Sequence, residues 1–136
     1  MNIFIDTSAF LAVLNANDQF HLNARQAWDE ILTSNATLFS SNYILIETIA
    51  LLQNRFGIEA VRLFERDILP VVELIWVNET IHKQGMSALL AANRRVLSLV
   101  DCTSFEIMRF TGLELALTFD PHFHEQGFNI LPAFGS

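Results

Sequence analysis

The chain has 136 residues, 51% of them hydrophobic, with 15 acidic against 8 basic residues and a net charge of −7. That apolar content excludes an intrinsically disordered chain, and the charge excludes a nucleic-acid binder that works through overall basicity. The length predicts one domain over residues 1–136.

Ile3-Phe4-Ile5 is a first short apolar run. Residues 7–15 and 21–34 follow with helical patterns, the second placing Leu22, Trp28, Ile31 and Leu32 on an apolar face. Thr37 to Ser40 reads as a strand, and 42–55 and 58–69 as a helix pair hinged at Gly57. Pro70 is expected to end the second helix, because it has no amide hydrogen to donate. Val71 to Val77 is a third strand candidate, and 79–92 and 101–112 are helices separated by a loop carrying Arg94 and Arg95. Leu115 to Phe119 and Phe128 to Leu131 complete the strands. The N-terminus MNIFIDTSAF has no basic segment before its apolar run, so no secretory leader is expected. Apolar runs fall short of the ~18 residues of a membrane span. Lys83 is the only lysine, so no polybasic membrane patch is present. The lone cysteine, Cys102, excludes an intrachain disulfide framework and fits a reducing, cytoplasmic setting.

The strand candidates are near-continuous apolar runs, the pattern of strands covered on both faces. Their alternation with helices implies an α/β fold with a parallel sheet. In such sheets ligands bind beyond the carboxyl ends of the strands. Two carboxylates stand there: Asp6 after Ile3-Phe4-Ile5, and Asp120 after Leu115 to Phe119. Asp101 follows Leu97 to Val100 and opens a helix, while Glu47 lies inside the almost wholly apolar run Tyr43 to Leu52. Helix capping competes for each aspartate, since an Asp side chain accepts from the free amides of a first helical turn. Glu47 has no capping role. A carboxylate in so apolar a helix needs a partner, either a cation, such as the side chain of Arg55 or Arg109, or a shared proton. If the four converge, their repulsion calls for a hard divalent cation. Mg²⁺ takes carboxylate oxygens, keeps several waters and shares its shell with phosphates, and such a site activates water for attack on phosphorus.

The ordered set resembles the PIN-domain ribonucleases, especially toxins of VapBC-type toxin–antitoxin pairs, along the whole chain. Ile5-Asp6-Thr7-Ser8-Ala9 is similar to the opening motif of that family, and Ile46-Glu47-Thr48 to its second acidic position. Leu97 to Phe105, containing Asp101, is similar to the third and most specific motif, and Thr118-Phe119-Asp120-Pro121-His122-Phe123 to the last. The resemblance implies a PIN-like three-layer sandwich with a five-stranded parallel sheet in the order 3-2-1-4-5, flanked by helices. It also implies an endoribonuclease dependent on Mg²⁺ or Mn²⁺ that leaves a 5′-phosphate and a 3′-hydroxyl. Asp6, Asp101 and Asp120 would bind metal directly or through water. Glu47 would complete the catalytic set by orienting or deprotonating the water. The hydroxyls of Ser8 and Thr118 would orient the carboxylates.

Outside the carboxylates, Arg94 and Arg95 are candidate phosphate clamps or a solvated charge pair. His122 and His124 read as surface histidines rather than transition-metal ligands. Cys102 reads as a small buried apolar residue whose thiol pKa is raised beside acidic groups. Tyr43 to Leu52, with Val61, Leu63 and Phe64, carries enough apolar residues to pack either on the sheet or on another subunit or antitoxin. A homodimer and a cognate antitoxin with a basic tail are the partners implied. The competing function is a non-catalytic PIN-like module that binds RNA or a protein at the same carboxylates. A receiver domain is disfavoured by the isolated Asp6 and the single lysine, and a haloacid-dehalogenase-type phosphatase by Ser8 where a second Asp is needed. Assigning four of the fifteen acidic residues to a cation site leaves eleven against eight. The charge excess then points to the site more than it opposes an RNA substrate.

Overall fold

The computed structural model describes residues 1–133. At its centre β1 (Asn2–Ile5) pairs in parallel with β2 (Thr37–Ser41) on one side and β4 (Leu115–Leu117) on the other. β3 (Val72–Ile75) extends the sheet beyond β2, and β5 (Asn129–Leu131) beyond β4, giving the all-parallel order 3-2-1-4-5. Ile3, Phe4 and Ile5 are all 0% exposed. Each contributes about 1.5–3 kcal/mol by burial, which is why so short a run serves as the central strand. The edge strand β3 is less covered, and its Glu73 is exposed.

Helices flank the sheet: α1 (Thr7–Leu14), α2 (His21–Thr33), α3 (Asn42–Phe56), α4 (Ile58–Leu63), α5 (Glu79–Ala92), α6 (Leu99–Thr111) and α7 (His122–Glu125). Alternation along β1 turns Phe4 away from Ile3 and Ile5. The Phe4 ring lies 6.5 Å from Phe123 of α7, which meets Phe105 of α6 edge-on at 5.0 Å. Phe10 of α1 meets Phe64 edge-on at 5.2 Å. These rings fix α1, α6 and α7 against the core, and these three helices follow or contain the three aspartates.

Three sequence expectations are corrected. First, α2 buries Ala24, Trp28 and Ile31, spaced at i, i+4 and i+7, while Leu22 and Leu32 are 81% and 48% exposed. Second, the chain after Gly57 does not run as one α-helix to residue 69. It rewinds after α4 into a π-turn at Phe64–Ile68 and a 3₁₀ turn at Leu69–Val71. Pro70 lacks the amide needed to continue the α ladder, so the winding changes instead of stopping. Val71 belongs to that turn, and β3 is shorter than the apolar run 71–77, leaving Trp76 67% exposed. Third, α6 begins before Asp101. Ser98 is its N-cap, and its hydroxyl accepts from the Asp101 N–H at 3.1 Å while Asp101 Oδ2 accepts from the Ser98 N–H at 2.9 Å. This reciprocal capping box places Asp101 inside the first helical turn.

α5 and α6 pack closely at Gly85. A Cβ built there would lie 2.3 Å from Thr103 Oγ1 and 3.3 Å from the Thr103 backbone. That hydroxyl is buried without a hydrogen-bond partner among the described residues. Of the apolar surface expected on the middle helices, Ile44, Leu52 and Phe64 belong to the core, whereas Ile46, Phe56, Ile58 and Leu63 are 43–64% exposed. No helix among the described residues is long and apolar enough to cross a membrane.

Candidate active site

The register of β1 and β4 brings two of the aspartates together. Ile5 is paired with Leu117, and one step further the Asp6 N–H donates to the Leu117 carbonyl at 3.1 Å. Asp6 is therefore at once the end of the central strand and the N-cap of α1. Thr118 follows Leu117, and Asp120 lies two residues beyond.

Two hydroxyls hold the Asp6 carboxylate. Ser8 Oγ donates to Asp6 Oδ2 at 2.7 Å, and Thr118 Oγ1 donates to the same oxygen at 3.1 Å. Each hydroxyl has one proton to give, so each meets the backbone as an acceptor. Ser8 Oγ takes the Phe119 N–H at 2.9 Å, and Thr118 Oγ1 takes the Asp120 N–H at 3.0 Å. The strand ends of β1 and β4 are thus cross-linked through the groups that orient Asp6. Asp120 Oδ1 accepts from the His122 N–H at 2.9 Å, which turns the chain into α7.

The three aspartates share one pattern. Each has one oxygen engaged by its own helix start: Asp6 Oδ2, Asp101 Oδ2 and Asp120 Oδ1. The second oxygen of each takes no hydrogen bond from any described residue. Capping and ligation, which compete in the sequence, are therefore compatible here, because capping uses only half of each carboxylate.

Electrostatics couple the three. The Asp6 carboxyl, 5% exposed, is pushed up to about 6, chiefly by burial and further by the charges of Asp101 and Asp120, against the pull of its bond from Ser8. Asp101 is raised as well, first by burial and then by Asp120. Such a cluster is strained as it stands and relieved by positive charge.

Glu47 is half-buried on α3. Its neighbour Thr48 donates to Thr7 Oγ1 at 3.3 Å, which sets this turn of α3 against the residue after Asp6. Neither arginine considered as its partner pairs with it among the described residues. Arg109 instead engages Glu106, Gln126 and the Phe128 ring. Arg95 is exposed, and Arg94 pairs with Glu125 at 3.3 Å, a partner the sequence did not point to.

His122 departs from the surface-histidine expectation. Its side chain is 18% exposed, and His122 Nδ1 lies 3.0 Å from Glu125 Oε2. The hydrogen bond to Glu125 holds the imidazole pKa above its usual value. Arg94, Glu125, His122 and Asp120 thus form one connected polar chain from the 93–98 loop to the site. The spacing from His122 to Glu125, three residues along α7, is the signal that could have revealed it. Cys102 is buried, and burial with the nearby Asp101 raises its thiol, as expected.

As a ligand set, the three aspartates offer hard oxygens and a negative field that His122 and the hydroxyls of Ser8 and Thr118 offset only in part. Among the described residues, no three Asp, Glu, His or Cys side chains form a group able to hold a metal ion by themselves.

The PIN domain family matches residues 3–129. The chain is 35% identical over 127 residues to the 23S rRNA-specific endonuclease VapC20 of Mycobacterium tuberculosis, covering 93% of this chain and 95% of that protein. The crystal structure of that VapC20, described as a Sarcin-Ricin loop cleaving toxin, superposes with a TM-score of 0.82 at 34% identity over 93% of this chain and 95% of the other. FitAcB from Neisseria gonorrhoeae shares the fold at a TM-score of 0.67 and 18% identity, over 96% of each chain. Matched along nearly its whole length in sequence and in structure, the chain belongs to the PIN-domain family and, within it, to the VapC type.

Proposed function

We propose that this protein is a metal-dependent endoribonuclease, the toxin of a type II toxin–antitoxin pair, and that residues 1–136 form its single catalytic domain. The observation that carries the reading is the coupled trio Asp6, Asp101 and Asp120, each with one oxygen anchored and one left over, at the carboxyl end of the sheet. Similarity to an RNA-cleaving VapC protein supports it.

In this reading Asp6, Asp101 and Asp120 hold Mg²⁺ or Mn²⁺, in part through water. When bound, the ion supplies a water of lowered pKa and positive charge for the phosphate oxygens. Ser8 and Thr118 fix the orientation of Asp6, so that its remaining oxygen is aimed before the ion arrives. Glu47 takes the proton of the attacking water, and the α1–α3 contact at Thr7 and Thr48 sets its turn of helix beside Asp6. Arg95 contacts an RNA phosphate, and Arg94 steadies the loop that carries it through Glu125. Hydrolysis leaves a 5′-phosphate and a 3′-hydroxyl. A second copy of the chain and an antitoxin with a basic tail are the proposed partners. The exposed Ile46, Phe56, Ile58 and Leu63 offer apolar contact, and the acidic site offers a seat for the basic tail.

The test is incubation of RNA with the purified protein in Mg²⁺, Mn²⁺ or EDTA, with end-labelling of the products. Cleavage with either metal, lost in EDTA and in folded Asp6→Asn, is the expected result. Full activity in folded Asp6→Asn overturns the metal reading. Metal binding without turnover on any RNA favours the non-catalytic binding module.

A further inference from the structure

Phe20 and Phe119 form an aromatic pair that the proposed chemistry leaves unused. Their rings are 4.7 Å apart and 9° from parallel, and Phe20 is 37% exposed. Both partners are held from the backbone. Phe119 directly precedes Asp120, and its N–H donates at 2.9 Å to Ser8 Oγ, the hydroxyl that orients Asp6. On the other side, the Phe20 N–H donates to Asp18 Oδ1 at 2.8 Å, and its carbonyl accepts from the Ala24 N–H at 2.8 Å at the start of α2. The pair therefore joins the start of α2 to the residue before Asp120 and is partly open to solvent. The core holds edge-on pairs, Phe10–Phe64 and Phe105–Phe123 at 79° and 81°, and also a stacked pair, Phe105–Phe128 at 28°; what sets Phe20–Phe119 apart from these buried rings is its opening to solvent, in a near-parallel geometry to which a flat base can add.

We propose that Phe20 and Phe119 form a stacking platform for one unpaired base of a single-stranded RNA segment, seating the nucleotide next to the phosphate that faces Asp6, Asp101 and Asp120. This rests on the ribonuclease reading and assigns a base contact to two residues that the cleavage chemistry does not use. A chain of net charge −7 gains little affinity from phosphates in general. Stacking is insensitive to that charge, and one base on an aromatic ring changes affinity by about 5- to 150-fold. It also tolerates any base, so sequence choice comes from other contacts.

The experiment measures binding of fluorescein-labelled random-sequence RNA 12-mers, single-stranded and duplex, by anisotropy in Ca²⁺, beside cleavage kinetics in Mn²⁺. Wild type, Phe20→Leu and Phe20→Trp are compared, with thermal midpoints to verify folding. Leucine keeps apolar bulk against Phe119 but has no flat face, and tryptophan keeps the face. Phe20→Leu is expected to bind single strands at least about 5-fold more weakly. Its salt dependence should match wild type, since no phosphate contact is lost, and its KM should rise more than its kcat falls. Phe20→Trp retains binding, and duplex binds more weakly than single strand. Wild-type affinity in Phe20→Leu, with cleavage intact, overturns the platform and leaves the ribonuclease reading standing. Equal weakening in Phe20→Leu and Phe20→Trp with lowered midpoints assigns the pair to packing and overturns it too. A wild type that neither binds nor cleaves any RNA overturns both.

Discussion

Replacing Asp6 by asparagine is expected to stabilise the metal-free protein at neutral pH. The folded carboxyl is pushed up to about 6 from an ordinary 3.8, mainly by burial. Between these values the native state binds more protons than the unfolded one, so stability contributed by the neutral acid is present near pH 4. It declines as pH rises through about 6 and is flat above that. A shift of about two units corresponds to about 3 kcal/mol. That figure already includes the bonds from Ser8 and Thr118, which pull the pKa down. Asparagine keeps an acceptor for both hydroxyls and the cap of α1 without ever becoming charged. Urea unfolding in EDTA from pH 4 to 7.5 measures the difference. The two proteins should be alike near pH 4, with the variant more stable by about 3 kcal/mol at pH 7.5. Saturating Mn²⁺ should close the gap by stabilising wild type alone. A difference that does not change with pH, or one in which wild type gains on the variant as pH rises, would refute the picture of a buried, repelled carboxylate.

Three further outcomes follow from the packing and the caps. Gly85→Ala pushes a methyl group into Thr103 between α5 and α6 and should cost about 1–3 kcal/mol in urea unfolding. Thr103→Ala should partly rescue it, because the lost hydroxyl has no hydrogen-bond partner among the described residues. Ser98→Ala breaks one half of the capping box and should lower stability by about 1 kcal/mol. Glu47→Gln should reduce RNA cleavage at least about 10-fold, as expected for loss of a general base, while its unfolding midpoint stays within about 0.5 kcal/mol of wild type; undiminished cleavage would remove Glu47 from the catalytic set.

The sheet was legible because its strands are short apolar runs closed by chemistry-bearing residues. Ile3-Phe4-Ile5 followed by Asp6 marks the central strand and a carboxylate at its end, and the parallel sheet follows from the alternation with helices, whereas its strand order is implied only by the family resemblance. The trio of aspartates was legible as strand-end and helix-start residues. Sequence could not show that capping engages only one oxygen of each carboxylate among the described residues, since that depends on which oxygen faces the helix. Helix faces were read less well. Leu22 and Leu32 lie off the stripe set by Trp28 and Ile31, and the turn after α4 is decided by the missing amide of Pro70 acting one turn back. The half-burial of His122 depends on the short helix α7, whose turn brings Glu125 Oε2 to 3.0 Å from its Nδ1, and only the three-residue spacing hints at it in sequence.

Calorimetric titration of Mn²⁺ into metal-free wild type, Asp6→Asn and Asp101→Asn at pH 7.5, with RNA cleavage followed on the same samples, tests the central claim most directly. Binding and cleavage by wild type, with both lost or sharply weakened in each folded variant, is the predicted result. Cleavage that persists in folded variants unable to bind Mn²⁺ would contradict it.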